Sequence, residues 1–145
     1  MLSASSHREA VTTTIGEPLV KKSIIKPSKS PAAVGPYNHA IRVGDFLFCS
    51  GQIPLDPDSG QLVAGDTRAQ TDRVLENIRS ILADQSLSFT NVVKSTVFLT
   101  NLADFPAMNE VYSTFFKSDF PARSTVQVAA LPWGASVEIE VIAHY

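Results

Sequence analysis

Phe120-Pro121-Ala122-Arg123-Ser124-Thr125-Val126-Gln127-Val128-Ala129-Ala130-Leu131-Pro132 leads, near the end of the chain, into Val137-Glu138-Ile139-Glu140-Val141-Ile142-Ala143. Both runs are rich in β-branched residues and alternate in polarity, and Pro132 and Gly134 lie between them, so the pattern predicts two strands joined by a tight connection. Side chains two apart share a face. Arg123, Thr125 and Gln127 therefore point one way, while Glu138 and Glu140 share one face of the next strand and Val137, Ile139 and Val141 take the other. An arginine at the start of a strand offers a planar, permanently charged fork for a carboxylate. A glutamate among Val and Ile, once partly desolvated, is a candidate acid, base or holder of water. The plain alternative for each is a solvated side chain on the strand surface. If the two strands pair as a hairpin about Trp133, Arg123 falls opposite about His144 and Glu138 opposite about Val128, about five residues away along the ladder and a separation on the order of 17 Å. A pocket that uses both residues then needs the glutamate of a neighbouring chain or a different pairing of the strands.

Upstream, Lys22 to Lys26 is a short β-branched run stopped by Pro27, which predicts an edge strand. A Ser-, Pro- and Ala-rich loop from Ser28 to Pro36 delivers Gly35-Pro36-Tyr37, where proline stiffens the approach to an aromatic hydroxyl. His39 to Val43 and Asp45 to Ser50 form a hairpin pattern around Gly44-Asp45. The second run ends in Ser50-Gly51-Gln52-Ile53-Pro54, where a glycine would let a ligand approach the backbone closely. Thr67 with Gln70 makes a capping-box pattern, and Val74, Leu75, Ile78, Ile81 and Leu82 form the apolar face of the helix that follows. Arg68, Asp72, Arg73, Glu76 and Arg79 take its solvated side. A strand is predicted over Asn91 to Leu99, with Val93, Ser95 and Val97 alternating against Val92, Lys94, Thr96 and Phe98. Asp104 and Pro106 open a second helix whose apolar stripe is Phe105, Met108, Val111, Tyr112, Phe115 and Phe116. Three strands, a helix, a strand, a helix and two strands give an α+β fold, one mixed sheet with both helices packed on one face.

Composition sets the limits. A chain of 145 residues is one domain by length and buries roughly 70% of the surface its unfolded form exposes. Domain organisation is read as an extension over residues 1–21, expected to be flexible, followed by a single domain over 22–145. Net charge is −2 and the twelve Lys and Arg are scattered, which argues against nucleic acid as the main partner. No apolar run approaches the ~20 residues of a membrane span, and the N-terminus lacks the apolar core of a secretory signal. Cys49 is the single cysteine, so no internal disulfide forms, and a reducing, cytoplasmic compartment is expected without excluding an organelle. Set in Phe46-Leu47-Phe48-Cys49, it reads as a small buried apolar residue rather than a nucleophile. His7, His39 and His144 are isolated from one another and from other ligand types at metal spacing, and no Walker or dinucleotide-type glycine loop occurs, so no metal or cofactor is expected. Trp133 reads as a loop aromatic packed over an edge.

Gly35-Pro36-Tyr37, Ser50-Gly51-Gln52-Ile53-Pro54, Val97-Phe98-Leu99 with Asn109-Glu110-Val111-Tyr112, Pro121-Ala122-Arg123-Ser124 and Glu138-Ile139-Glu140 follow one another in that order. Together they resemble the signature of the RidA (YjgF) family, the reactive-intermediate imine deaminases, from about Lys22 to the end. The resemblance implies a chorismate-mutase-like βββαβαββ fold and a homotrimer with pockets in the clefts between subunits. It also implies hydrolysis of 2-iminobutanoate, 2-iminopropanoate and related 2-imino acids to 2-keto acids and ammonia. In that scheme Arg123 clamps the substrate carboxylate and Glu138 positions and deprotonates water. Tyr37, Ser50 and Gly51 orient the substrate, and Phe105, Asn109 and Thr125 shape the pocket. Thr125 stands where many relatives carry cysteine. Two other readings are an endoribonuclease that inhibits translation, as for some family members, and a non-catalytic trimer that binds small ligands or acts as a chaperone.

Overall fold

The computed structural model describes Gly16 and residues 21–30 and 32–145, so most of the extension expected over residues 1–21, with His7, lies outside the described residues. Six strands and two α-helices follow in the order β1 (Lys22–Ile25), β2 (Ala40–Val43), β3 (Phe46–Gln52), α1 (Thr67–Asp84), β4 (Val92–Leu99), α2 (Phe105–Phe115), β5 (Ala122–Gln127) and β6 (Val137–His144). They form one mixed sheet ordered β1-β2-β3-β6-β4-β5, an α+β architecture whose helices cover one face.

The hairpin β2–β3 turns through Gly44, whose φ of 56° is the left-handed conformation glycine adopts freely. β5 and β6 are not hairpin partners. β5 runs parallel to β4 along the sheet edge, while β6 lies antiparallel between β3 and β4. The turn Pro132–Gly134 thus carries the chain past β4 rather than folding it back on itself. Placing β6 centrally buries its Val137, Ile139, Val141 and Ala143 to 1% exposure or less, something an edge hairpin could not do for a strand so rich in apolar residues.

Val74, Leu75, Ile78, Ile81 and Leu82 of α1 and Met108, Tyr112 and Phe115 of α2 meet that strand face in a single core. Two local expectations are corrected. The cap of α1 is Asp66, whose side chain accepts from the Ala69 amide; Thr67 sits inside the first turn, and its hydroxyl donates to Asp104 at the start of α2. Gln70 instead accepts from the Ser136 amide and hydroxyl, both at 2.8 Å, which ties the approach to β6 onto the helix. In β4 a register shift between Val92 and Lys94 puts Val92 into the core with Ser95, Val97 and Leu99 and leaves Val93 44% exposed. A bulge moves the strand by one residue, so side chains before it exchange faces.

Among the described residues, the second sheet face carries no helix. Phe46, Phe48 and Val126 are exposed on it, beside Glu138, Glu140 and Ile142 of β6.

Candidate active site

Arg123 pairs in register with Ser95, and Ser95 with Val141. The guanidinium therefore lies on the helix-covered face, at the sheet edge. Its Nη1 donates to Asn109 Oδ1 at 2.8 Å, and its Cζ lies 4.7 Å from the Tyr112 ring centroid and 5.4 Å from that of Phe105. Phe105, Asn109 and Tyr112 share one stripe of α2, at i, i+4 and i+7. The Tyr112 hydroxyl is itself held 2.7 Å from Ser95 Oγ. A cavity of about 410 Å³ opens here, lined by Asn109, Tyr112, Phe120, Pro121 and Arg123. Thr125 follows on the same face, its Oγ1 buried and without a hydrogen-bond partner among the described residues.

Glu138 pairs with Phe98, whose in-register partner on β5 is Val126. Its side chain stands on the other face of the sheet. Two inter-strand spacings and three residues separate it from Arg123, on the order of 14 Å between backbones with the sheet between the side chains. The different strand pairing shortens the hairpin distance, yet the two residues still cannot touch one small molecule within a single chain.

Around Glu138 the open face forms a cavity of about 540 Å³, lined by Tyr37, His39, Ser50, Gly51, Trp133 and Glu138 among others. A bulge builds it. Cys49 pairs with Val141 but Gln52 with Ile139, so Ser50 and Gly51 together oppose Glu140. The extra residue bends β3 and turns the Ser50-Gly51 backbone toward the cavity. Gly51 is needed because the Glu138 side chain occupies the space of its missing Cβ: an added Cβ would lie 2.9 Å from the Glu138 carboxyl carbon. The Glu138 side chain therefore covers the Cβ side of Gly51. Burial pushes the Glu138 pKa up, and the negative charge of Glu140 on the same face pushes it further. Ser50 Oγ donates to the Asn38 carbonyl, which leaves its lone pairs to accept from a bound N–H. Tyr37 is half exposed, edge-on to His39.

The sequence-predicted residues thus fall into two groups: Arg123, Asn109, Phe105 and Thr125 on one face, Tyr37, Ser50, Gly51 and Glu138 on the other. Two cavity residues escaped the sequence reading, while Tyr112 is the core residue its stripe predicts and lines the Arg123 cavity as well. His39 lines the open-face cavity, and Trp133 overhangs it rather than packing over an edge. Cys49 is buried, its thiol pushed up to about 12 by burial, and is no nucleophile at neutral pH. Among the described residues no group of three or more His, Cys, Asp or Glu could hold a metal ion, and no helix is long and apolar enough to cross a membrane.

This arrangement, a bulged Ser-Gly beneath a glutamate on the open face and an arginine fixed by α2 behind it, can be compared with known proteins. The Endoribonuclease L-PSP family model matches residues 27–145. The chain belongs to this family, the YjgF/RidA family. A relative from Bos taurus named 2-iminobutanoate/2-iminopropanoate deaminase is 50% identical over 125 residues, covering 86% of this chain and 90% of its own. Among solved structures, a Rid-family protein of Yersinia pestis, described as of unknown function, superposes with a TM-score of 0.83 at 47% identity, covering 86% of this chain and 100% of that one. The TdcF protein of E. coli, solved with bound serine, has a TM-score of 0.80 at 42% identity, over 85% of this chain and 98% of its own. The RidA-type βββαβαββ order and the mixed sheet expected from the sequence are those of the family's solved structures.

Proposed function

We propose that this protein hydrolyses 2-imino acids of the 2-iminobutanoate and 2-iminopropanoate class to 2-keto acids and ammonia, at sites shared between subunits of a homotrimer. The observation that carries the reading is the division of the candidate residues between opposite sheet faces. A second copy of the chain, presenting its Arg123 edge to the open-face cavity, unites a carboxylate clamp with a water-activating carboxylate. The exposed Phe46, Phe48 and Val126 supply apolar area for that association, which is the kind of surface a permanent oligomer covers. Deaminase activity comes from likeness to the bovine relative of that name, and the serine bound to TdcF supports a small amino-acid-like ligand.

The chemistry then follows from the side chains. Arg123, held by Asn109 and the two rings, takes the substrate carboxylate in its fork, a charge-assisted contact of about 1.5–3 kcal/mol. Ser50 Oγ accepts from the imine nitrogen. Glu138 takes a proton from water as the water oxygen bonds to C2 and the C=N π pair moves to nitrogen. Glu138 returns that proton to the nitrogen, leaving a carbinolamine. The hydroxyl proton then passes to nitrogen as the C–N bond breaks and C=O forms, which balances imine plus water against keto acid plus ammonia. A carboxyl whose pKa is raised by burial both accepts and returns a proton near neutral pH more readily than an ordinary glutamate. The free, unreactive Cys49 fits a reducing, cytoplasmic setting.

The test is complementation. An amino-acid oxidase generates the imine, semicarbazide competes for it, and the protein's suppression of semicarbazone is measured. Arg123→Ala and Glu138→Gln chains are each expected to be inactive. Refolded together in equal amounts, they regain activity, because about a quarter of the sites in a randomly mixed ring pair an intact Arg123 with a neighbour's intact Glu138. A site contained in one chain would regain nothing. Wild-type protein with no effect on semicarbazone formation would refute the deaminase itself.

A further inference from the structure

Trp133 stands out among the residues that line the open-face cavity. Its backbone has φ 58° and ψ 21°, the left-handed region where a bulky residue is an outlier. The residue is 60% exposed, so packing within the chain does little to offset that conformation. The turn around it is firmly held. Pro132 precedes it, Gly134 follows with φ 74°, Ala135 is 1% exposed, and Ser136 is bonded through both amide and hydroxyl to Gln70 of α1 at 2.8 Å. A strained residue persists where its surroundings over-determine it, and such residues cluster at ligand sites. Here the strain presents a flat apolar surface to the cavity that also contains Glu138, alongside Val34, Ile53 and Leu55.

We infer that Trp133 is the specificity-determining wall of the site: the substrate's side chain packs on its indole, which selects imino acids with bulky apolar side chains over those derived from alanine. This inference rests on the deaminase reading for its substrate class, but not for the wall itself. Trp133 acts by apolar contact with the part of the substrate remote from the reacting carbon, so its removal is a matter of discrimination rather than of chemistry. Discrimination by apolar contact in a pocket is worth roughly 10–200-fold.

Because Trp133 is the only tryptophan in the chain, its fluorescence reports the wall directly. The full chain is titrated with two stable 2-keto acids, pyruvate and 4-methyl-2-oxopentanoate. The branched acid is expected to shift the emission to the blue and to bind about 10-fold more tightly. Imine turnover is compared in parallel for leucine- and alanine-derived substrates. Trp133→Gly, which removes both indole and strain, is expected to lower kcat/KM on the leucine-derived imine about 10-fold while changing the alanine-derived one less than about 2-fold. Trp133→Phe restores the preference. Equal spectral responses to the two acids, or equal losses on the two imines, would overturn the wall and leave the deaminase standing. A wild-type protein that turns over neither imine but shifts its emission selectively with the branched acid would keep the wall and refute the deaminase. Silence in both assays refutes both.

Discussion

The two halves of the candidate site are built on different physical plans. On the helix-covered face, Arg123 is positioned by direct partners: an amide oxygen at 2.8 Å and two aromatic rings whose faces attract the cation. None of these contacts neutralises a guanidinium, so the side chain can be held rigidly and still present its charge. On the open face Glu138 is controlled by its surroundings. Its carboxyl lies over a residue with no side chain, is half buried, and has Glu140 as a neighbour of like charge. A base must lose and regain a proton, and burial with a like charge tunes that equilibrium where a firm ion pair would lock it. The contrast teaches that a permanent charge is oriented by contacts and a titrating one by environment.

Arg123→Ala should be the most damaging change to the rigid half. A loss of about 10–150-fold in kcat/KM is expected from removing a charge-assisted clamp of about 1.5–3 kcal/mol, with the oligomeric state by sedimentation unchanged. Dissociation of the assembly would show instead that the arginine serves structure.

On the tuned half, Gly51→Ala forces the Glu138 carboxyl aside. Activity is expected to fall about 10–100-fold from misplacement of the base, and stability by about 1–3 kcal/mol from overpacking. Unfolding midpoints in urea and steady-state kinetics measure the two effects separately, and unchanged kinetics would mean that Glu138 tolerates displacement.

A smaller effect is expected at Thr125. Its buried hydroxyl has no partner among the described residues, so Thr125→Val, of the same shape, should raise stability by about 1 kcal/mol. A loss would reveal a partner supplied by the assembly.

The smallest effect is a slope. With its folded pKa raised, Glu138 binds more protons in the native than in the unfolded state between its ordinary value, about 4.3, and its raised one. Stability contributed by this group is therefore greatest below the ordinary value and declines as pH rises through the window. Glu138→Gln should flatten that decline in denaturation profiles, and a profile identical to wild type would show no native shift at Glu138.

Much of the fold was legible because its signals are local. Alternation identified the two faces of β5 and β6, and the stripe from Val74 to Leu82 identified the buried side of α1. The errors lie where two local patterns compete or a single residue is inserted. Asp66 and Thr67 can both cap a helix, and Asp66 prevails while Thr67 reaches Asp104. The register shift after Val92 leaves no clear mark in a run of β-branched residues. Trp133 was read as an edge aromatic because its left-handed backbone depends on the turn that holds it.

The sequence by itself determined that Arg123 shares a face with Thr125 and Glu138 with Glu140, since side-chain direction along a strand has a period of two residues. It also determined the helix faces and, through its ordered motifs, the family. Only the tertiary structure decided that β6 enters between β3 and β4. Strand order depends on burial across the whole sheet, and β6, the more apolar of the last two strands, takes the central place beneath the helices. That insertion set Arg123 and Glu138 on opposite faces, a relation no local pattern encodes.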